Sequence, residues 1–406
     1  MAENGGVSRR RLILGGATSV AAIVASGRAS AAPPEAPART ATGESSFGLA
    51  GAATVPCSGD HQAGIATPLQ SFATFAAFAL RPGVDRAGLT RLMKLWTDDI
   101  SRLTDGRPSL GDPVPELAGV PARLTVTVGF GPGVFAAAGL ESKRPKWLKP
   151  LPAFKVDALE SEWTGGDLLL QLCADDQVTI SHALRVLTTT AGSFAAMSWQ
   201  QKGFQRATGM TPEGSVHRNL MGFIDGIVNP RPGTPDFDSV VWQGASPTWL
   251  VGGTAVVLRR FRFDLDRWTS LSTRQREEVF GRRVSDGSPL SGTSMADTSD
   301  LNARDANGLS AIPTFAHIRL AAPAKPGERI LRRPYNFDDG FVGGVRDSGL
   351  IFAGYCADPE RQFVPIQQRL AEHDLLNTWI RAVGSAVFAI PPGFQPGTYL
   401  GQQLLG

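Results

Sequence analysis

Leu168-Leu169-Leu170-Gln171-Leu172-Cys173-Ala174-Asp175 returns 183 positions later as Ile351-Phe352-Ala353-Gly354-Tyr355-Cys356-Ala357-Asp358, and Phe78-Ala79-Leu80 returns at that offset as Phe261-Arg262-Phe263. Two separated segments sharing one offset indicate a duplicated unit. Short apolar runs of this kind read as buried strands, and further strands are expected at 124–128, 255–258 and 350–355. Helices fall between them. Ser272-Thr273-Arg274-Gln275 has the form of a capping box and predicts a helix to about Phe280, ended by Gly281. Ile366, Leu370, Leu376, Ile380 and Val383 recur at helical spacing and predict another helix that stops at Gly384. Strands and helices mixed within each half, without a Gly-rich dinucleotide signature, imply an α+β fold with sheets covered by helices on one face.

A chain of 406 residues, 42% hydrophobic, suffices for one large or two modest domains. Arg9, Arg10, Arg11 and Arg28 against Glu3 already account for the formal charge of +3. The remainder is balanced, which removes any net-charge case for nucleic-acid binding. Ser8-Arg9-Arg10-Arg11-Leu12-Ile13-Leu14, an Ala/Gly-rich stretch to Val24 and Ala29-Ser30-Ala31 form the n-region, h-region and cleavage site of a twin-arginine signal peptide, expected over 1–31. Its apolar run is shorter than the ~20 residues that span a bilayer, so no stable membrane span is expected. That route carries folded proteins, which suits a cofactor inserted before export to a periplasm, cell surface or medium. Residues 32–56 are rich in Ala, Pro, Thr, Ser and Gly and predict a flexible linker. Cys57, Cys173 and Cys356 are too few and scattered for a zinc site or disulfide framework. The two in apolar runs read as buried, inert thiols.

Two positions stand out chemically. Asp225 is held in Gly222-Phe223-Ile224-Asp225-Gly226, where the glycines let backbone pass close to a flat ligand. His317 sits in Phe315-Ala316-His317-Ile318-Arg319-Leu320, read as an extended segment whose apolar neighbours would exclude water from a metal. Taken singly, Asp225 also reads as a turn residue or helix cap, and His317 as a core histidine satisfied by hydrogen bonds. His373 competes as a ligand from the apolar face of the second helix, with packing as its simpler role. His61 reads as a strand entry, and His182 and His217 lack ligand-like surroundings.

Stretches 222–230 and 316–324 and Leu331-Arg332-Arg333, together with His61-Gln62-Ala63-Gly64-Ile65, resemble the dye-decolourising peroxidase family, in the exported subgroup similar to the deferrochelatase/peroxidase of bacterial iron uptake. The resemblance runs from His61 to the C-terminus. It implies two ferredoxin-like modules of the dimeric α+β barrel type, over 57–215 and 216–406, with one haem b per chain in the second. It implies His317 as the iron ligand, Asp225 as distal acid/base and Arg332 as the residue that stabilises charge beside the peroxide and the haem. Gly226, Ile227 and Val228, and Ala322, Pro323 and Ala324, would border the macrocycle. Alternation would turn Arg333 away toward a surface or salt-bridge partner; Arg333 as the distal residue, and both arginines in surface pairs, are the competing readings.

The implied reaction reduces hydrogen peroxide and oxidises dyes, phenolics or similar aromatic reductants by single electrons, with Tyr335, Tyr355 and Trp379 as candidate surface relays. Other implied roles are iron release from haem, as a deferrochelatase, and noncatalytic haem or iron handling beside iron-uptake components; cargo of a nanocompartment conflicts with export. Homo-oligomerisation is left open. The chain departs from the family at Ile224 and Ile227, where relatives often carry Lys and Thr, and at Ala255, where an aromatic is frequent. These departures put pocket polarity and substrate preference in question.

Overall fold

The computed structural model describes residues 50–212 and 217–406. The expected signal peptide, most of the expected linker and the expected module boundary lie outside them. The linker's last residues are held against the first module. A short turn at Ala50–Ala52 is followed by main-chain bonds in which Ala122 and Arg123 donate to Gly51 and Ala53 at 2.9 and 2.7 Å.

Four strands form the first antiparallel sheet: β1 (Phe72–Leu80), β2 (Thr125–Phe130), β3 (Leu168–Ala174) and β4 (Ala195–Phe204), in the order β4-β1-β3-β2. The second contains β5 (Thr254–Phe263), β6 (Leu331–Arg332), β7 (Tyr335–Val342), β8 (Val345–Cys356) and β9 (Ile380–Ile390), in the order β9-β5-β8-β7, with β6 also on β8. The duplicated segments fall on β1 and β5 and on β3 and β8, which pair antiparallel within their own sheets. A register shift interrupts β1 against β4 at Ala77/Phe78 and β5 against β9 at Arg260/Phe261, the same offset that relates the sequences. Phe130 of β2 pairs with Ala389 of β9, and Phe204 of β4 with Asn336 of β7, so the two sheets join into one closed ring of strands. The expected pair of ferredoxin-like modules in an α+β barrel is the observed architecture.

The ring encloses an apolar core from both modules, including Phe75, Leu169, Cys173, Tyr335, Phe337, Ile351, Tyr355 and Phe388. Helices cover the outside. The helix Arg86–Thr104 opens with Asp85 accepting from the Gly88 N–H at 2.8 Å. It buries Leu89, Leu92, Met93, Trp96, Ile100 and Leu103 at helical spacing. Trp96 Nε1 donates to the Leu187 carbonyl at 2.9 Å, which leaves no polar atom of that indole unsatisfied. Cys173 and Cys356 are fully buried, and burial pushes both thiols above their ordinary range, as inert cysteines require.

One expected element is corrected. The helix read through 366–383 ends at His373 (Val364–His373), and Ile380 and Val383 belong to β9. Asp374 takes an extended backbone and accepts from the Leu376 N–H at 2.9 Å, starting a separate turn, so the apolar period continues across a break in structure. His373 is consequently exposed rather than packed, and it carries no ligand role. The capping box at Ser272 is present, with its helix Thr273–Phe280 closed by Gly281.

Candidate active site

The Asp225 loop is shaped by main-chain demands. Gly222 and Gly226 have φ of 93° and 84°, in the left-handed region that a Cβ disfavours. The Asn219 side chain accepts from the N–H groups of Met221 and Phe223 at 3.1 and 3.2 Å, and the Asp225 N–H donates to the His217 carbonyl at 2.9 Å. Asp225 Oδ1 accepts from the Gly226 N–H at 2.7 Å and lies 3.1 Å from Arg332 Nη1. Its other oxygen, Oδ2, has no hydrogen-bond partner among the described residues. The carboxylate is partly exposed, beside a cavity of about 330 Å³ that Gly226, Asn229, Arg218, His217 and Arg332 also line.

Arg332 is held by its backbone. Asn229 Nδ2 donates to the Arg332 carbonyl at 2.7 Å while the Arg332 N–H donates to Asn229 Oδ1 at 3.1 Å, so one amide grips both main-chain groups. Strand alternation then separates the two arginines, as expected. Arg333 turns away from the cavity, but its destination differs from the reading: it is 5% exposed and donates to the Thr67 carbonyl and to Gln70 Oε1. A guanidinium in the interior needs acceptors, and the turn before β1 supplies them.

His317 opens the short helix His317–Ala321 instead of lying in a strand. Its neighbours Ala316, Leu320 and Ala321 favour helix, and the Leu320 N–H closes the turn on the Ala316 carbonyl at 3.2 Å. Nδ1 lies 2.7 Å from Asp374 Oδ2, and the Asp374 side chain is 1% exposed. An ionised carboxylate only accepts, so Nδ1 carries the proton and the lone pair is left on Nε2. Nε2 has no hydrogen-bond partner among the described residues. An imidazole oriented by a carboxylate, with its remaining nitrogen free, is the donor arrangement of a haem axial ligand. A single free imidazole nitrogen is the donor that an iron already ligated by a porphyrin needs; among the described residues there is no group of three or more His, Cys, Asp or Glu that could hold a metal.

The stretch from Phe280 to Gly287 ties the two centres together. Phe280 lies 5.2 Å from the His317 ring and stacks on Phe223 at 4.0 Å, two residues before Asp225. A Cβ at Gly281 would meet Ile318, and one at Gly287 would meet Ile224 and Ile227. His317 itself does not line the cavity beside Asp225. Of the residues expected to border the macrocycle, Gly226, Ile227 and Ala322 are half-buried, while Val228, Pro323 and Ala324 are exposed.

Two of the three relay candidates are corrected. Tyr335 and Tyr355 are each 1% exposed, because the inward positions of β7 and β8 place them inside the ring. Trp379 is half-buried, edge-on to Trp268 at 5.3 Å; Trp268 in turn meets Phe223 at 6.2 Å. Two other histidines have partners away from the cavity, His61 stacked on Trp242 at 3.8 Å and His182 with Nε2 2.8 Å from Asp112, while His217 lines the cavity itself. Sequence reasoning missed Asp374, which lay inside the helical pattern read through 383, and missed the grip of Asn229 on the Arg332 backbone.

Comparisons with known proteins identify the family. The model described as "Dyp-type peroxidase, N-terminal" matches residues 62–205 and that described as "Dyp-type peroxidase, C-terminal" matches 216–395. A dye-decolorizing peroxidase of Thermobifida fusca is 37% identical over 360 residues, covering 85% of this chain and 83% of the relative. A deferrochelatase of Yersinia pestis is 33% identical, with 98% and 95% covered. Among solved structures, a DyP-type peroxidase from Cellulomonas bogoriensis is 48% identical with a TM-score of 0.85, covering 88% of this chain and 99% of that one. Ferric DtpA from Streptomyces lividans is 41% identical with a TM-score of 0.84, covering 88% and 98%. On its two family domains, its relatives and its fold, the chain belongs to the DyP-type peroxidases, haem-dependent enzymes that consume hydrogen peroxide and a reductant.

Proposed function

We propose that Asp225, Arg332 and His317 carry this activity in the roles that their surroundings favour, with haem b as the cofactor. When bound, the haem supplies the redox chemistry and is held through His317 Nε2. Asp374 fixes the tautomer and the orientation of that imidazole. Asp225 manages the proton. Its Oδ1 is engaged by Arg332 and the Gly226 N–H, so Oδ2 is the atom that takes a proton from hydrogen peroxide and returns it to the departing oxygen. Arg332, aimed by Asn229, offsets the negative charge that develops as the proton leaves and the oxygen–oxygen bond breaks. The observation that carries this reading is the one-sided engagement of Asp225, an anchored carboxylate with a free oxygen facing a cavity. Rapid mixing of the haem-loaded protein with peroxide tests it: Asp225→Asn should slow the spectral change by about 10²–10⁴-fold with haem still bound. An unchanged rate would refute the role.

The reductants are dyes, phenolics or related aromatics. Those too bulky for the cavity deliver electrons at Trp379 and onward through Trp268, which stands between Trp379 and Phe223. The N-terminal sequence supports export by the twin-arginine route, and the identity to a deferrochelatase supports iron release from haem as a second activity. Anaerobic incubation with haem and an iron chelator separates the two chemistries, since iron-free protoporphyrin appears only if iron is released. No helix of the described residues is long and apolar enough to cross a membrane.

A further inference from the structure

Arg282 is 6% exposed, and among the described residues no carboxylate forms a salt bridge with it. Among the described residues its one side-chain hydrogen bond runs from Nη1 to the Gly287 carbonyl at 2.7 Å. A buried, unpaired guanidinium is costly. Its neighbour Arg283 is also without a carboxylate, but that side chain donates to Ser288 Oγ and to the carbonyls of Pro289 and Gly292. Arg218 similarly donates to the carbonyls of Gly222, Val284 and Ser285. Among the described residues Arg282 has one such acceptor, which leaves four of its N–H donors without one. Burial and the charge of Arg332 both push its pKa below the ordinary guanidinium range, the opposite of what a counter-ion would do.

Its position points to the missing anion. Arg282 lies on the turn whose Gly281 abuts Ile318, beside His317, and whose Gly287 abuts Ile224 and Ile227, beside Asp225. A flat cofactor held between the histidine side and the aspartate side would have an edge against the turn that touches both. Haem carries two propionate carboxylates on one edge.

We infer that Arg282 is a cofactor-binding residue that pairs with a haem propionate and so fixes the rotation of the macrocycle in its pocket. This rests on the haem reading above and adds to it a charge contact separate from iron ligation. The guanidinium offers two parallel N–H groups to a carboxylate, a geometry that lysine cannot reproduce.

The test titrates the full-length chain, produced without added porphyrin, with haemin and with haemin dimethyl ester, whose carboxylates are neutralised; the Soret band reports binding. The unsubstituted protein should bind haemin tighter than the ester. Arg282→Gln should weaken haemin about tenfold or more and leave the ester unchanged, so that the preference collapses. Arg282→Lys, which keeps the charge and guards against a folding defect, should restore part of it. An equal loss for both porphyrins, or an undiminished preference in Arg282→Gln, would overturn the inference. The haem reading stands or falls separately: it survives if Arg282→Gln still shows histidine ligation and a spectral response to peroxide, and fails if the unsubstituted chain takes up neither porphyrin.

Discussion

The two modules share strand order and even the position of a register shift, yet they use the connection after their first strand in opposite ways. In the first module, 81–124 contains a long helix that buries Leu89, Leu92, Met93, Trp96, Ile100 and Leu103 against the sheet. In the second, 264–330 contains only short helices and turns, and its deeply buried apolar side chains reduce to Trp268, Val279, Ile312 and Ala316. The same stretch supplies His317, Phe280 and Arg282. A regular helix fills the space over a sheet with hydrocarbon; an irregular connection leaves room and brings polar groups to it. The duplication thus kept one copy as a packed support and adapted the other to hold a reactive group.

Substitutions can break this division. The largest effect is expected for His317→Ala, which should remove the axial imidazole, shift the Soret band and lower peroxide turnover to near background. Normal haem spectra in that variant would sink the assignment. Next, Arg332→Leu should slow the reaction with peroxide about 10²–10³-fold while the protein melts at nearly the same temperature, read by stopped flow and by thermal denaturation. The complementary change in the first module, Trp96→Ala, should cost about 3–5 kcal/mol of stability and leave the spectral response of the surviving folded fraction intact. If it altered that response instead, the support role would be wrong. Trp379→Phe should spare oxidation of small phenols while reducing turnover of bulky dyes severalfold, measured as the ratio of the two rates.

The smallest effect concerns pH. Burial raises the pKa of Asp99, in the first module, although the Thr190 hydroxyl donates to it at 2.7 Å. The folded state therefore holds this proton to higher pH than the unfolded chain does. Asp99 weakens folding as pH rises through the unfolded value near 4, and the penalty is complete above the folded value. Asp99→Asn should raise the melting temperature at neutral pH and have no such effect in acid; peroxide kinetics should not move.

Much of this was legible in the chain because strands repeat in period and sequence. The offset of 183 survives in the apolar runs of β3 and β8, and it marks the duplicated unit in the sequence itself. The glycines around Asp225 left a local mark, since Gly222 and Gly226 take left-handed backbone, whereas Arg332 was singled out only by resemblance to the family's motif. What failed was whatever depended on partners far along the chain. Asp374 reaches His317 across 57 positions, and nothing near either residue announces the pairing. Tyr335 and Tyr355 look like surface aromatics until the second sheet closes over them. The helical pattern through 383 misled because apolar residues entering β9 happened to continue the spacing of the helix before it.

The ring of strands has a consequence for company. β1, β3, β5 and β8 are each bonded to a strand on both sides, whereas each seam between the sheets is closed by a single pair, Phe130 with Ala389 and Phe204 with Asn336. A second polypeptide therefore cannot add a strand beside any of those four, whose main-chain groups are taken on both sides.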